Sequence, residues 1–281
     1  MDSINLAWLI RRHGLEMTAV SHGSHIASVL SAADMMAVLY GGAARVDPHA
    51  PKDPLRDRII LSKGHAGAAV YAALAETGFF DPKALTAHCA NGGVLSGHVS
   101  HMGVPGVELS TGSLGHGLPV GMGMALAAKR DGRGNRVFVV CGDGECDEGA
   151  MWEAALIARH YELSNLVAVI DHNKMQSLDT CENTIKLEPF AAKWEAFGWR
   201  VLEIDGHDHG ALKAAFASKA DHRPTVVIAH TVKGKGVSFM ENNILWHYRD
   251  PRGEAYQNAL RELLEAMPAG VADPYEKGAR A

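Results

Sequence analysis

One carboxylate and one side-chain amide, each at the end of an apolar run, are the residues of this chain best suited to hold an ion. Val137-Phe138-Val139-Val140 breaks into Gly142-Asp143-Gly144-Glu145, and Leu166-Val167-Ala168-Val169-Ile170 breaks into Asp171-His172-Asn173-Lys174. The aspartate carboxylate, the asparagine oxygen and a backbone carbonyl of the second turn, that of Met175, make an all-oxygen set suited to Mg²⁺ or Ca²⁺. A single carboxylate leaves the ion with net positive charge, which a diphosphate would neutralise. Gly142 and Gly144 let the backbone come close, and the amides opening the next helix point at an anion.

The elements that must position these groups form a strand, helix, strand unit. Glu148 to His160 carries helical spacing between the two apolar runs. A right-handed crossover brings Asp143 and Asn173 out together at the carboxyl edge of a parallel sheet, where open α/β folds place ligands. Further helices are expected over residues 3–20, Ser31–Tyr40, Ala66–Glu76, Leu118–Lys129, Glu188–Phe197, Asp208–Ala220 and Glu254–Met267. Further strands are expected over Asp57–Ser62, Trp199–Ile204 and Thr225–Ala229. This alternation predicts a doubly wound, mostly parallel α/β sheet in one domain spanning 1–267. Residues 21–28, too small and polar for core, are expected to be a loop, as is 237–252. Residues 91–117, rich in glycine, histidine and serine, are expected to be a functional loop, and 268–281 a mobile tail.

Composition narrows the function. At 281 residues and 47% apolar content the chain can bury a large core. Its 27 basic and 32 acidic residues are spread along the chain and offer no basic stripe for nucleic acid. The amino end lacks the features of a signal peptide and no run is expected to reach membrane-spanning length, so a cytoplasmic location is expected. Cys89, Cys141, Cys146 and Cys181 follow neither a disulfide framework nor a zinc pattern and read as reduced thiols.

Sixteen histidines is many for this length. His25, His65, His98 and His247 each stand in a loop among small neighbours, the usual setting for chemistry on a rigid scaffold. With them the motifs become specific. A GDG turn followed by an asparagine at the next strand end resembles the signature of thiamine-diphosphate enzymes. Ser24-His25-Ile26 is similar to a GHxGG loop, Leu61-Ser62-Lys63-Gly64-His65 to an SKGH turn and Gly97-His98 to GHP. Thr111-Gly112-Ser113-Leu114-Gly115-His116-Gly117 is similar to TGSLGQG, and His247 to the histidine after a KGKG loop. From about residue 8 to residue 265 the chain resembles the amino-terminal, cofactor-binding half of transketolase.

That resemblance implies thiamine diphosphate with Mg²⁺, or Ca²⁺ in its place, the metal being held by Asp143, Asn173 and the Met175 carbonyl. It implies cofactor contacts from His65, Gly112, Ser113, Leu114, Gly142, Asp143, Gly144, Glu145, Asn173, Leu178 and His247. His25 and His98 would face the reacting carbon, donating to substrate hydroxyls and to a developing oxyanion. Glu148 would join a proton network across a subunit interface. The implied reaction moves a two-carbon ketol unit from a ketose phosphate to an aldose. No second α/β set follows residue 267, so the expectation is one subunit of a split enzyme. A pyrimidine-binding C-terminal partner would complete an α2β2 assembly, its interface covering residues 91–117 and the Trp246 segment.

Three departures from the family pattern are expected to reshape the substrate channel: Ala27-Ser28 for Gly-Gly, Val99 for the proline of GHP, and His116 for the glutamine of LGQG. The nearest alternative is an E1-like subunit of a 2-oxo acid decarboxylating complex, against which the histidine set stands. A third reading is a non-catalytic partner that retains the fold.

Overall fold

The computed structural model describes residues 1–218 and 221–276. Its helices are α1 (Ser3–Ser21), α2 (Ile26–Val38), α3 (Gly67–Glu76), α4 (Gly117–Arg130), α5 (Gly149–His160), α6 (Cys181–Thr184), α7 (Phe190–Ala196), α8 (His209–Ala217) and α9 (Glu254–Glu265). Strands β1 (Arg58–Leu61), β2 (Val137–Gly142), β3 (Leu166–His172), β4 (Arg200–Asp205) and β5 (Thr225–His230) pair in parallel in the order β1-β2-β3-β5-β4. The inner strands are continuous apolar runs because helices cover both faces, leaving neither side of the pleat in water.

Alternation along each strand sorts the core into two layers. Phe138, Val140, Val167 and Val169 pack with α1, α2, α3, α8 and α9. Val137, Val139, Leu166, Ala168 and Ile170 pack with α4, α5 and α7 on the other face. Truncating a fully buried residue such as Phe138 to alanine would cost about 3–5 kcal/mol. A Cβ on Gly121 would stand 2.4 Å from Val139 Cγ2, so the small residues of α4 serve close packing on the sheet.

Three local readings change. The loop expected over 21–28 ends at His25, since Ile26, Ala27 and Ser28 are buried in the first turn of α2. Every residue of α2 is buried, so it shows none of the two-faced patterning that would mark its start. One window, Ile26–Ala43, is long and apolar enough to cross a membrane by composition, contrary to expectation, but 83% of it is buried inside the fold as a core helix. Residues 268–276 are tied to α1: Arg12 Nε donates to Asp273 Oδ1 at 3.0 Å, and His13 Nδ1 lies 2.7 Å from the Tyr275 hydroxyl. Residues 277–281 of the expected tail, and 219–220 of the expected Asp208–Ala220 helix, lie outside the described residues.

Candidate active site

The register of β2 on β3, Cys141 opposite Ile170 and Gly142 opposite Asp171, delivers Asp143 and Asn173 side by side at the carboxyl edge. Both are buried. Asp143 Oδ1 accepts from the Gly144 amide at 2.8 Å and Oδ2 from the Lys174 amide at 2.5 Å. Asn173 Oδ1 accepts from the Met175 amide at 3.1 Å, and its Nδ2 donates to Ser31 Oγ at 3.3 Å. The Met175 carbonyl accepts from Lys233 Nζ at 3.1 Å. Each oxygen is thus oriented by a second contact and retains lone-pair capacity for a cation. Among the described residues no three His, Cys, Asp or Glu side chains converge as a metal cluster, so an ion here would complete its shell with oxygens of a ligand or water. At Gly144 a Cβ would lie 2.8 Å from Gln176 Cγ, so the Gln176 side chain would have to shift.

Over these turns lies a cavity of about 240 Å³. The His25 ring centroid is 5.1 Å from that of His65, 5.7 Å from His98 and 4.8 Å from His247. His25 caps α2 in the left-handed region at φ 74°, a backbone state costing an L-residue about 1–2 kcal/mol. Its amide donates to the His247 carbonyl at 2.9 Å, which ties the two histidine loops together.

Burial holds the rings of His25, His65 and His247 neutral at pH 7. Desolvation, then the neighbouring His98 and Lys233, lowers His25 to about 4. Desolvation, then Lys233, lowers His247 to about 3. His65 is lowered by desolvation and then by the Lys63 ammonium. The Nδ1 atoms of His25 and His247 are buried without a hydrogen-bond partner among the described residues. Buried polar atoms are rarely left unpaired, so a polar ligand fits this cavity.

Two lysines supply positive charge. Lys63 Nζ donates to Asp171, which also accepts from Ser31 Oγ at 2.7 Å and from the Thr231 hydroxyl. Burial alone would raise Asp171, but Lys63 and the hydroxyls hold it below the usual carboxylate value. Lys233 Nζ donates to the Gln176 carbonyl at 2.8 Å as well as to that of Met175. Burial and then the nearby Lys63 bring Lys233 down to about 8, still mostly charged at pH 7. Lys63 is already paired with Asp171 and Lys233 is bonded to two carbonyls, so with an ion held at Asp143 and Asn173 this wall suits a polyanion.

The cavity gathers His25, His65, His98, Gly112, Leu114, Gly142, Asp143, Gly144, Glu145, Asn173, Met175 and His247. Glu145, read as a cofactor contact, turns its carboxylate inward: it accepts from the Gly115 amide at 2.9 Å, the Gly142 amide at 3.1 Å and the Ser62 hydroxyl. It clasps the turn to the Thr111–Gly117 loop. Ser113, Glu148 and Leu178 stay outside the lining; Ser113 and Glu148 are exposed and Leu178 is 82% exposed. Trp246, expected at an interface, is buried against Phe239 with ring centroids 5.3 Å apart, while Leu245 and Tyr248 beside it are exposed.

Of the three departures, Ala27 and Val99 are buried and lie outside the cavity lining. The Val99 amide donates to the Gly64 carbonyl at 3.0 Å, a bond that proline could not make. Ser28 does line the cavity, and His116 is exposed. Lining residues absent from the expected contacts are Ser28, Lys63, Gln176, Ser177, Lys233 and Tyr248. Lys63 and Lys233 each follow a strand within a family-like motif, and a lysine at a strand's carboxyl edge beside an anion turn was the available signal.

Comparison with known proteins agrees with this geometry. Residues 4–268 match the family described as transketolase, thiamine diphosphate binding domain. One of the subunits of apulose-4-phosphate transketolase from Phocaeicola vulgatus is 41% identical over 92% of this chain and 92% of its own length. The 6-deoxy-6-sulfo-D-fructose transketolase subunit SqwG of a Clostridium species is 39% identical over 94% of this chain and 96% of its own. The crystal structure of transketolase from Campylobacter jejuni superposes with a TM-score of 0.88 at 26% identity, over 96% of this chain. The chain spans 44% of that structure's length and 41% of human transketolase. It belongs to the transketolase thiamine-diphosphate-binding domain family and matches, over nearly their whole length, subunits of transketolases divided between chains.

Proposed function

We propose that this chain is the amino-terminal subunit of a two-component transketolase, transferring a two-carbon ketol unit from a ketose phosphate to an aldose. The observation that carries this reading is the meeting of His25, His65, His98 and His247 over the Asp143 and Asn173 turns in one cavity. Bound thiamine diphosphate supplies the electron sink for the transferred fragment. Asp143, Asn173 and the Met175 carbonyl would hold Mg²⁺, with Ca²⁺ as an alternative. Lys63, Lys233, His65 and His247 would face the diphosphate with Gly142 and Gly144, and Gly112, Ser113 and Leu114 would border the pyrimidine side.

His25 and His98 are placed to donate to substrate hydroxyls and to the oxygen on which charge develops. Because His25 titrates near 4, it serves at pH 7 as a neutral donor, with no proton to release as an imidazolium. Glu148 and Leu178, exposed here, would meet a C-terminal pyrimidine-binding subunit in an α2β2 assembly. The full-length relatives are named for uncommon ketoses, and we extend that substrate class to this chain. A cytoplasmic setting is supported by its four unpaired cysteines.

The test is reconstitution. Purified chain and candidate partner, assayed apart and mixed with thiamine diphosphate and Mg²⁺, should show ketol transfer in the mixture alone. Full turnover by the chain by itself would overturn the divided-enzyme reading. Decarboxylation of a 2-oxo acid in place of ketol transfer would favour the E1-like alternative.

A further inference from the structure

A larger cavity, of about 810 Å³, lies at the opposite edge of the sheet. Arg56 and Arg58 lead into β1, Arg133 and Asn135 precede β2, and the Gly103–Glu108 segment closes the remaining side. At about 3.3 Å per residue, the length of β2 puts roughly 20 Å between this edge and Asp143. None of the chemistry described above uses it.

In a chain of net charge −5, the lining sets four cationic side chains, Lys52, Arg56, Arg58 and Arg133, against one carboxylate, Glu108. Glu108 is shared: Arg56 Nη1 donates to one oxygen, and Arg58 Nη1 lies 3.7 Å from the other. Arg133 reaches outward to the exposed Asp131 at 2.7 Å. Burial, and then crowding by Arg56 and Arg133 against the pull of Glu108, holds Arg58 below the ordinary guanidinium value. An anion would relieve that crowding.

The arginines are also set in place beforehand. Arg56 donates through Nε to the Pro51 carbonyl at 2.6 Å and through Nη1 to that of Asp57 at 3.1 Å. Arg58 Nη2 donates to the Asp53 carbonyl at 3.3 Å. Groups already ordered lose less freedom when a ligand arrives. Facing them is an apolar wall of Val104, Val107, Met124 and Ala128.

We propose that this cavity binds a small organic phosphate with an apolar body, of the nucleotide class, at a site separate from the cofactor cavity. Guanidinium forks match phosphate oxygens, and the volume falls within the roughly 300–1,000 Å³ of small-molecule sites. His101, also in the lining, has its Nδ1 engaged with Ser110 Oγ at 2.7 Å. The proposal does not depend on the transketolase reading.

Calorimetry with AMP and with inorganic phosphate tests it, using the Asp143→Ala chain and, in a second arm, the wild-type chain saturated with thiamine diphosphate and Mg²⁺. AMP is expected to bind at one site in both arms, more tightly than phosphate. The Lys52→Gln/Arg133→Gln variant, altered at two exposed side chains, should bind AMP about tenfold more weakly, as loss of charge-assisted contacts implies. Ala127→Trp keeps every charge but fills the cavity from an exposed position on α4, and should abolish AMP binding. Circular dichroism checks that each variant is folded. Absence of AMP binding in both arms, or unchanged affinity in either folded variant, would overturn the proposal.

Discussion

The inner wall and the outer rim of the cofactor cavity are built differently. On the wall, Asp143, Glu145, Asn173, Lys63 and Lys233 are buried, and each is held by backbone or side-chain partners. On the rim, Ser113, Glu148 and Leu178 are exposed, and Tyr248 is 59% exposed. Most of the wall stands at strand ends, where pairing register fixes each position; the rim stands on irregular chain. A wall finished in this chain and a rim left open is the division expected if one chain holds the ion and phosphate end while another closes the site.

The largest effect should come from breaking the wall. Asp143→Ala removes the one carboxylate of the proposed ion set and should weaken metal-dependent thiamine-diphosphate binding by more than about 100-fold, since losing groups that merely orient a ligand costs roughly 10–100-fold. Asp179→Ala changes an exposed carboxylate occupied with the Thr180 amide at 2.7 Å and should do little. Calorimetry giving equal affinity for both variants would end the ion assignment.

Next in size is a division within the histidines. In the reconstituted enzyme, His98→Ala should lower kcat by about 100-fold, the scale of losing one donor to a developing oxyanion, with cofactor affinity nearly unchanged. His65→Ala and His247→Ala should weaken the cofactor first. Equal cofactor losses in all three variants would merge the groups that this scheme separates.

The wall was far more legible in the sequence than the way its members meet. Val137 to Lys174 announces itself because two continuous apolar runs and the helix between them are local patterns, and parallel pairing follows from their connection. The approach of His25 to His98 and His247 depends on loops far apart in sequence, and no periodicity reports it. Glu145 lies in the cavity lining as its place beside the GDG turn suggests, and the fold adds that its carboxylate accepts from Gly115, Gly142 and Ser62. The start of α2 was hidden because its residues are buried all round, which erases the polar face that would mark a helix.

A smaller effect concerns pH. In the unfolded chain His25 and His247 take up protons near their ordinary 6.5, whereas the fold delays this to about 4 and about 3. Between those values the unfolded state binds more protons, so stability falls as pH drops from 6.5 toward 3, with no contribution from these rings above 6.5. His247→Gln should flatten that fall in thermal midpoint for the cofactor-free chain. A slope identical to wild type would mean that His247 is not kept neutral by the wall.

The smallest effect on the free chain, and the sharpest test of the rim, belongs to Leu178. At 82% exposure its side chain contributes little burial to this fold. Leu178→Asp should therefore leave the stability of the isolated chain within about 0.5 kcal/mol of wild type. If the partner closes over the rim, the same change places a charge in a newly apolar interface, so association and reconstituted turnover should both weaken. Sedimentation and activity titration of the mixed chains separate the two outcomes. Early unfolding of the isolated variant would make Leu178 part of the wall. Unchanged affinity for the partner would place the closing interface elsewhere, and the exposed Tyr248 and Leu245 beside His247 would then be the next side to probe.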